Sequence, residues 1–163
     1  MSEKSISSQA GPIVSPLNRK KRLTPCRSVC STTYGDLVCR GCKRFAHEVT
    51  EWNHFGAERR DQIWERLETI YKQSIRACVR ISSTDLFDRV VSSTLDEAQS
   101  CKESEIYEVL QKVEIPVVEL GLTPVDSPPQ IRSGELFQEI EHEIYSRSLH
   151  LYQYYYKSGI PQS

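Results

Sequence analysis

Ile63, Leu67, Ile70, Ala77 and Ile81 recur at intervals of three, four or seven residues, with Trp64, Tyr71 and Cys78 beside them. This is one apolar stripe of an amphipathic helix and predicts a helix from about 57 to about 79. Gly56 is placed to act as its N-cap, and Glu58 falls in the first turn, where a carboxylate suits the positive end of the helix dipole. Arg59, Arg60, Glu65, Glu68 and Lys72 occupy the opposite face, with Glu68 and Lys72 forming a favourable i,i+4 pair. A shorter pattern, Leu86, Phe87, Val90 and Val91, follows a cap region at Ser82 to Asp85, and Ile106, Leu110 and Val113 mark another short helix from 103 to 113.

Pro116, Gly121, Pro124, Pro128 and Pro129 make 116–132 a connector. Ser133 reads as the cap of a last helix over about 134–157, whose stripe is Leu136, Phe137, Ile140, Ile144, Leu151, Tyr152 and Tyr155, with Gly159-Ile160-Pro161 ending it. No segment alternates with period two for long, and no repeat recurs at a fixed period. The chain reads as mainly α: a small four-cysteine metal-knuckle module followed by a helical extension. The expected organisation is a disordered basic tail over 1–22, a cysteine module with the long helix over 23–80, and an acidic helical extension over 81–163.

Length and composition set the outer bounds. The 163 residues are 38% hydrophobic and 26% charged, which suits one ordinary domain or a module plus an extension. The longest apolar stretch, Ile115 to Leu122, contains Pro and Glu and is far shorter than the roughly 20 residues of a membrane helix. The first 25 residues show no apolar signal region, so the expected setting is cytoplasmic, with no membrane partner.

A net charge of −1 conceals an asymmetry. Residues 1–80 carry 15 Lys and Arg against 8 Asp and Glu, and residues 81–163 carry 6 against 14. Two explanations fit: an anionic partner for the basic half, or an internal electrostatic latch. The candidate anion-binding residues are Arg19, Lys20, Lys21, Arg22, Arg27, Arg40, Lys43 and Arg44. Nucleic acid is the commonest intracellular polyanion, but no base-reading motif accompanies the charge. In the latch alternative, Glu135, Glu139, Glu141 and Glu143 dock on that surface, although the last three alternate around the helix and look solvated.

The sharpest chemistry is Cys26-x3-Cys30-x8-Cys39-x2-Cys42. Two close pairs joined by a short arm suit one tetrahedral ion, and four thiolates close its shell. Gly41 would allow a tight turn within Cys39-Arg40-Gly41-Cys42, and Gly35 beside Asp36 would turn the arm. Arg27, Arg40, Lys43 and Arg44 lie next to the ligands, where cations favour thiolate. Two disulfides would suit a secreted domain instead, and the missing signal region argues against them. Spacing favours zinc, since ferredoxin-type cysteine spacings do not match.

Residues 24–68, with Pro25-Cys26-x3-Cys30, Cys39-Arg40-Gly41-Cys42, Glu48, Trp52 and Ala57-Glu58-Arg59-Arg60, resemble a family of short bacterial proteins known as domain of unknown function 1289. The family is described as predicted iron–sulfur proteins, so the resemblance implies Cys26, Cys30, Cys39 and Cys42 as ligands of a cluster and no established reaction. Zinc from spacing and iron–sulfur from resemblance therefore both stand.

Other residues invite weaker readings. His47 could replace one cysteine, but four thiolates already saturate an ion. His54 reads as a half-buried neighbour of the aromatic cluster, and Trp52 and Trp64 as packing against the metal module. Cys78 reads as a small core hydrophobe, Cys101 as an exposed thiol, and Tyr154-Tyr155-Tyr156 as placing at least one ring on the surface or against a partner. Nothing nominates a nucleophile or general base. The expectation is a metal-binding interaction module with a protein partner rather than an enzyme. An iron–sulfur redox or sensor protein is the first alternative, and a nucleic-acid-binding accessory protein the second.

Overall fold

The computed structural model describes residues 17, 23–28, 30–96, 99 and 101–157. Of the basic tail expected over 1–22, only Leu17 falls among them, and it is buried in the main core. Arg19, Lys20, Lys21 and Arg22, like the Gly159-Ile160-Pro161 stop, lie outside the described residues.

The chain is mainly α. Five helices, α1 (Ala46–Thr50), α2 (Ala57–Cys78), α3 (Thr84–Thr94), α4 (Lys102–Lys112) and α5 (Ser133–Lys157), accompany a two-stranded antiparallel sheet of β1 (Val79–Ile81) and β2 (Leu122–Pro124). Of the predicted α2 stripe, Ile63, Trp64, Leu67, Ile70 and Tyr71 are buried, whereas Ala77 and Cys78 are only half-buried and Ile75, which the stripe did not include, takes the inward place in the last turns. The lower half of α2, Ile70, Tyr71 and Ile75, with Val79 of β1, joins Phe87, Tyr107, Leu110, Leu136, Ile140 and Ile144 in one core. Burying that many aliphatic and aromatic side chains at about 1.5–3 kcal/mol each is the main force holding α2 against α4 and α5. Among the described residues, no helix is long and apolar enough to cross a membrane.

Two local expectations need correction. The connector 116–132 contains a 3-10 turn, Val117–Leu120, and then β2, which pairs Val79 with Pro124 and Ile81 with Leu122. Three-residue strands are too short to show alternation in sequence. Ser133 does not stand before α5 as its cap. It is the first helical residue, and its hydroxyl donates to Val113 O at 2.5 Å and accepts from Ile115 N at 3.2 Å. Ser83 does cap α3, accepting from Leu86 N at 3.4 Å.

Candidate metal centre

The cysteine segment folds as two turns that meet α2 at Arg66 and Tyr71 and α5 at Glu141 and Tyr152. Val38 and Phe45 form an antiparallel bridge, and between them Cys39 N donates to Arg44 O and Lys43 N donates to Cys39 O, each at 2.8 Å. Cys39 and Cys42 thus sit in the tip of a tight hairpin and are both buried. The left-handed residue this tip needs is Lys43, with φ of 62°, and not Gly41. In the other turn Ser28 is left-handed, with φ of 63°, two residues past Cys26. A non-glycine residue in that conformation costs roughly 1–2 kcal/mol, so both turns are held by their surroundings. The arm between the pairs is a 3-10 turn, Ser31–Tyr34, closed as expected by Gly35 at φ of 94°.

Each turn directs hydrogen-bond donors at sulfur. Ser28 N donates to Cys26 Sγ at 3.4 Å, and Arg44 Nε donates to Cys42 Sγ at 3.3 Å. Cys39 Sγ accepts from the Cys42 thiol and from the backbone N–H groups of Cys42, Ser31 and Gly41. Donation by the Cys42 thiol and these N–H groups brings the Cys39 thiol down to about 4, and Cys42, holding the shared proton and buried, moves up. Partial burial, with Cys26 and Cys39 nearby, pushes the Cys30 thiol up. The thiols thus form two adjacent pairs, Cys26 with Cys30 and Cys39 with Cys42. Among the described residues, no three His, Cys, Asp or Glu side chains converge as ligands of a single ion do. At Cys39 the donor chemistry suits a thiolate ligand, since N–H groups facing sulfur stabilise the deprotonated form, while Cys30 and Cys42 are held as thiols.

The candidate anion-binding residues part company here. The Arg27 side chain, 8% exposed, and the buried Lys43 converge on Glu141 of α5: Lys43 Nζ lies 2.6 Å from Glu141 Oε2, and Arg27 Nη1 lies 3.6 Å from it. Arg27 also donates to the Tyr107 hydroxyl, which donates in turn to Glu141 Oε1. Burial pulls the Lys43 ammonium below the usual lysine range, against the attraction of Glu141. Arg44 is buried over the Trp52 ring, 4.8 Å from its centroid. Among the described candidates only Arg40 is exposed; it pairs with Asp36 at 3.0 Å and covers Tyr145 of α5.

Glu141 is therefore half-buried and paired, and it belongs to a second face of α5. Glu141, Tyr145, Tyr152 and Tyr156 recur at four, seven and four residues and all meet the cysteine hairpin. Tyr152 and Tyr156 pack edge-on against Phe45, and the Tyr156 hydroxyl lies 3.0 Å from His47 Nε2. His47 thus belongs to the α5 contact. Tyr152 was expected on the apolar stripe, but Glu141, Tyr145 and Tyr156 were not, because apolar periodicity does not find a face that is polar and aromatic.

Glu48 is another residue whose role the sequence left open. It is 0% exposed, accepts from Phe45 N at 2.9 Å at the start of α1, and takes both guanidinium arms of Arg66 at 2.5 and 2.6 Å. Trp52 packs with Ile63, Trp64 and Leu67 in a small satellite core, flanked by Phe55, and its ring lies under both Arg44 and Arg60. His54 is exposed beside this cluster. Cys78 is half-buried, and burial with Glu143 and Glu139 near pushes its thiol up to about 11. Cys101 is half-buried at the start of α4, and Tyr154 is exposed at the end of α5.

Residues 24–70 match the model of a family described as "Protein of unknown function (DUF1289)". The match covers the two cysteine turns, α1 and the first part of α2, and leaves α3, α4 and α5 beyond it. No curated protein and no solved structure matches the chain.

Proposed function

We propose that the chain binds one structural metal ion through Cys26, Cys30, Cys39 and Cys42, and that the stabilised module serves as a binding platform. The observation that carries the reading is the set of donors aimed at sulfur: Ser28 N at Cys26, Arg44 Nε at Cys42, and the Gly41 and Cys42 N–H groups at Cys39. Such donors favour thiolate over thiol, and thiolate is the form that ligates. Binding would draw the two thiol pairs onto one centre, and the ion would supply cross-linking, with no open position for chemistry. Zinc is the ion the x3, x8, x2 spacing favours; an iron–sulfur cluster at the same four residues is the rival.

The need for an ion is physical. The satellite core under the turns consists of Trp52, Ile63, Trp64 and Leu67, with Phe55 against it. That is little apolar area for a segment of more than 40 residues, and a metal can add roughly 10 kcal/mol or more. The arm between the pairs presents Tyr34, 91% exposed, and Leu37, so it is the part of the module best placed to meet a protein partner.

Limited proteolysis with and without a chelator tests the reading. Residues 24–56 should become sensitive on chelation and in Cys39→Ser, while the core of α2, α4 and α5 stays resistant. Unchanged resistance in both would contradict it.

A further inference from the structure

The Arg40 and Gly41 carbonyls, both inside the Cys39–Cys42 turn, are taken up by buried cations. Lys43 Nζ donates to Arg40 O and, at 3.4 Å, to Gly41 O, while Arg27 Nη1 donates to Gly41 O at 3.4 Å. A trans peptide unit is planar, with its C=O and N–H pointing in opposite directions. Drawing the Arg40 carbonyl toward Lys43 turns the Gly41 N–H the other way, and drawing the Gly41 carbonyl does the same for the Cys42 N–H. These are two of the backbone N–H groups that face Cys39 sulfur. The two cations are in turn held by one carboxylate 98 positions from Lys43, Glu141, itself fixed by the Tyr107 hydroxyl.

We infer that Glu141 on α5 is a positioning residue for the cysteine site: through Lys43 and Arg27 it sets the peptide groups of the Cys39–Cys42 turn so that their N–H groups serve sulfur. The inference rests on the reading of the four cysteines as metal ligands. It adds that the site is assembled by a residue outside the matched 24–70 segment. A bare charge partner would stabilise Lys43 without any effect on ligation, so the two roles separate experimentally.

The probe is Co(II), titrated into chelator-stripped, reduced full-length protein and read by its thiolate charge-transfer and ligand-field absorption. Wild type should bind one equivalent. Glu141→Gln should bind about 10- to 100-fold more weakly, the usual effect of losing a group behind a ligand. Glu139→Gln, which loses a carboxylate that accepts from the Ser127 hydroxyl at 2.7 Å, should bind as wild type. Since Glu141→Gln also leaves buried cations uncompensated, the double variant Glu141→Gln/Lys43→Met is decisive. At saturating zinc its thermal stability should return toward wild type while Co(II) affinity stays weak. Affinity that recovers with stability, or a single variant with wild-type affinity and spectrum, overturns the inference. A wild-type chain that takes up no Co(II) overturns the four-cysteine reading and this inference with it.

Discussion

Lys43 and Glu141 stand 98 positions apart and meet at 2.6 Å, in a pocket that buries the ammonium almost completely. Lys43 follows Cys42 directly, and Glu141 lies on the helix that closes the main core. The acidic half of the chain therefore reaches the basic half through a specific ion pair. Pairs of this kind stabilise little in net, because desolvation offsets attraction, but breaking one strands a buried charge.

One consequence concerns truncation. A chain ending at residue 80 loses Glu141 and Tyr107 and bares Tyr71, Ile75 and Val79, all buried against the lost helices. It should fail to give a dispersed amide spectrum even with zinc present. A well-dispersed spectrum from residues 1–80 would show that the module folds without the extension.

Glu48→Ala removes a carboxylate that caps α1 and receives Arg66 through two hydrogen bonds. The loss should be about 3–5 kcal/mol, the cost of stranding one member of a buried pair. Urea denaturation of the metal-loaded protein measures it, and a loss below about 1 kcal/mol would mean that Arg66 finds water instead.

Gly121 is left-handed, and a Cβ there would lie 2.6 Å from the backbone oxygen of Ser83. That oxygen belongs to the α3 cap and cannot retreat without breaking its bond from Phe87 N. Gly121→Ala should destabilise by more than about 1 kcal/mol through strain and clash together. A midpoint unchanged in thermal unfolding would contradict the close approach.

Polyanion binding should depend on few residues. The Arg27, Lys43 and Arg44 side chains are buried and committed to Glu141, the turn carbonyls, Trp52 and Cys42. Replacing Arg19, Lys20, Lys21 and Arg22 together by Ala should therefore abolish any salt-sensitive binding to DNA that the full chain shows. Retention of that binding would mean that another surface is basic enough to carry it.

Much of the helical plan was legible because it depends on local patterning. The stripe from Ile63 to Tyr71 and that from Leu136 to Ile144 announce both long helices, and their bounds fall within a residue of those expected. Ser83 and Gly35 declared a cap and a turn by their own chemistry. The sheet was not legible, since Val79 to Ile81 finds its partner only across the 40 residues that bring Leu122 alongside. The cysteines were visible as a candidate set from spacing alone. What supports them was not: Glu141, Tyr145, Tyr152 and Tyr156 form a face only once the hairpin is packed on α5. Charge counting registered Glu141 as one of several surface acids, although burial sets it apart from its neighbours. The same limit explains Lys43. Its type suggested a counter-charge for thiolate, and only the fold shows its ammonium aimed at carbonyls and a carboxylate.

Metal content of the full-length protein, purified without added metal under anaerobic conditions, bears most directly on the central claim. Elemental analysis with an absorption spectrum should give one zinc per chain and a colourless solution, with Cys39→Ser and Cys42→Ser both depleted. A brown protein carrying iron and sulfide, with absorption near 400 nm, would keep Cys26, Cys30, Cys39 and Cys42 as ligands but make the centre a cluster. A colourless protein with neither metal, and four of its six thiols free to react in the folded state, would contradict the account.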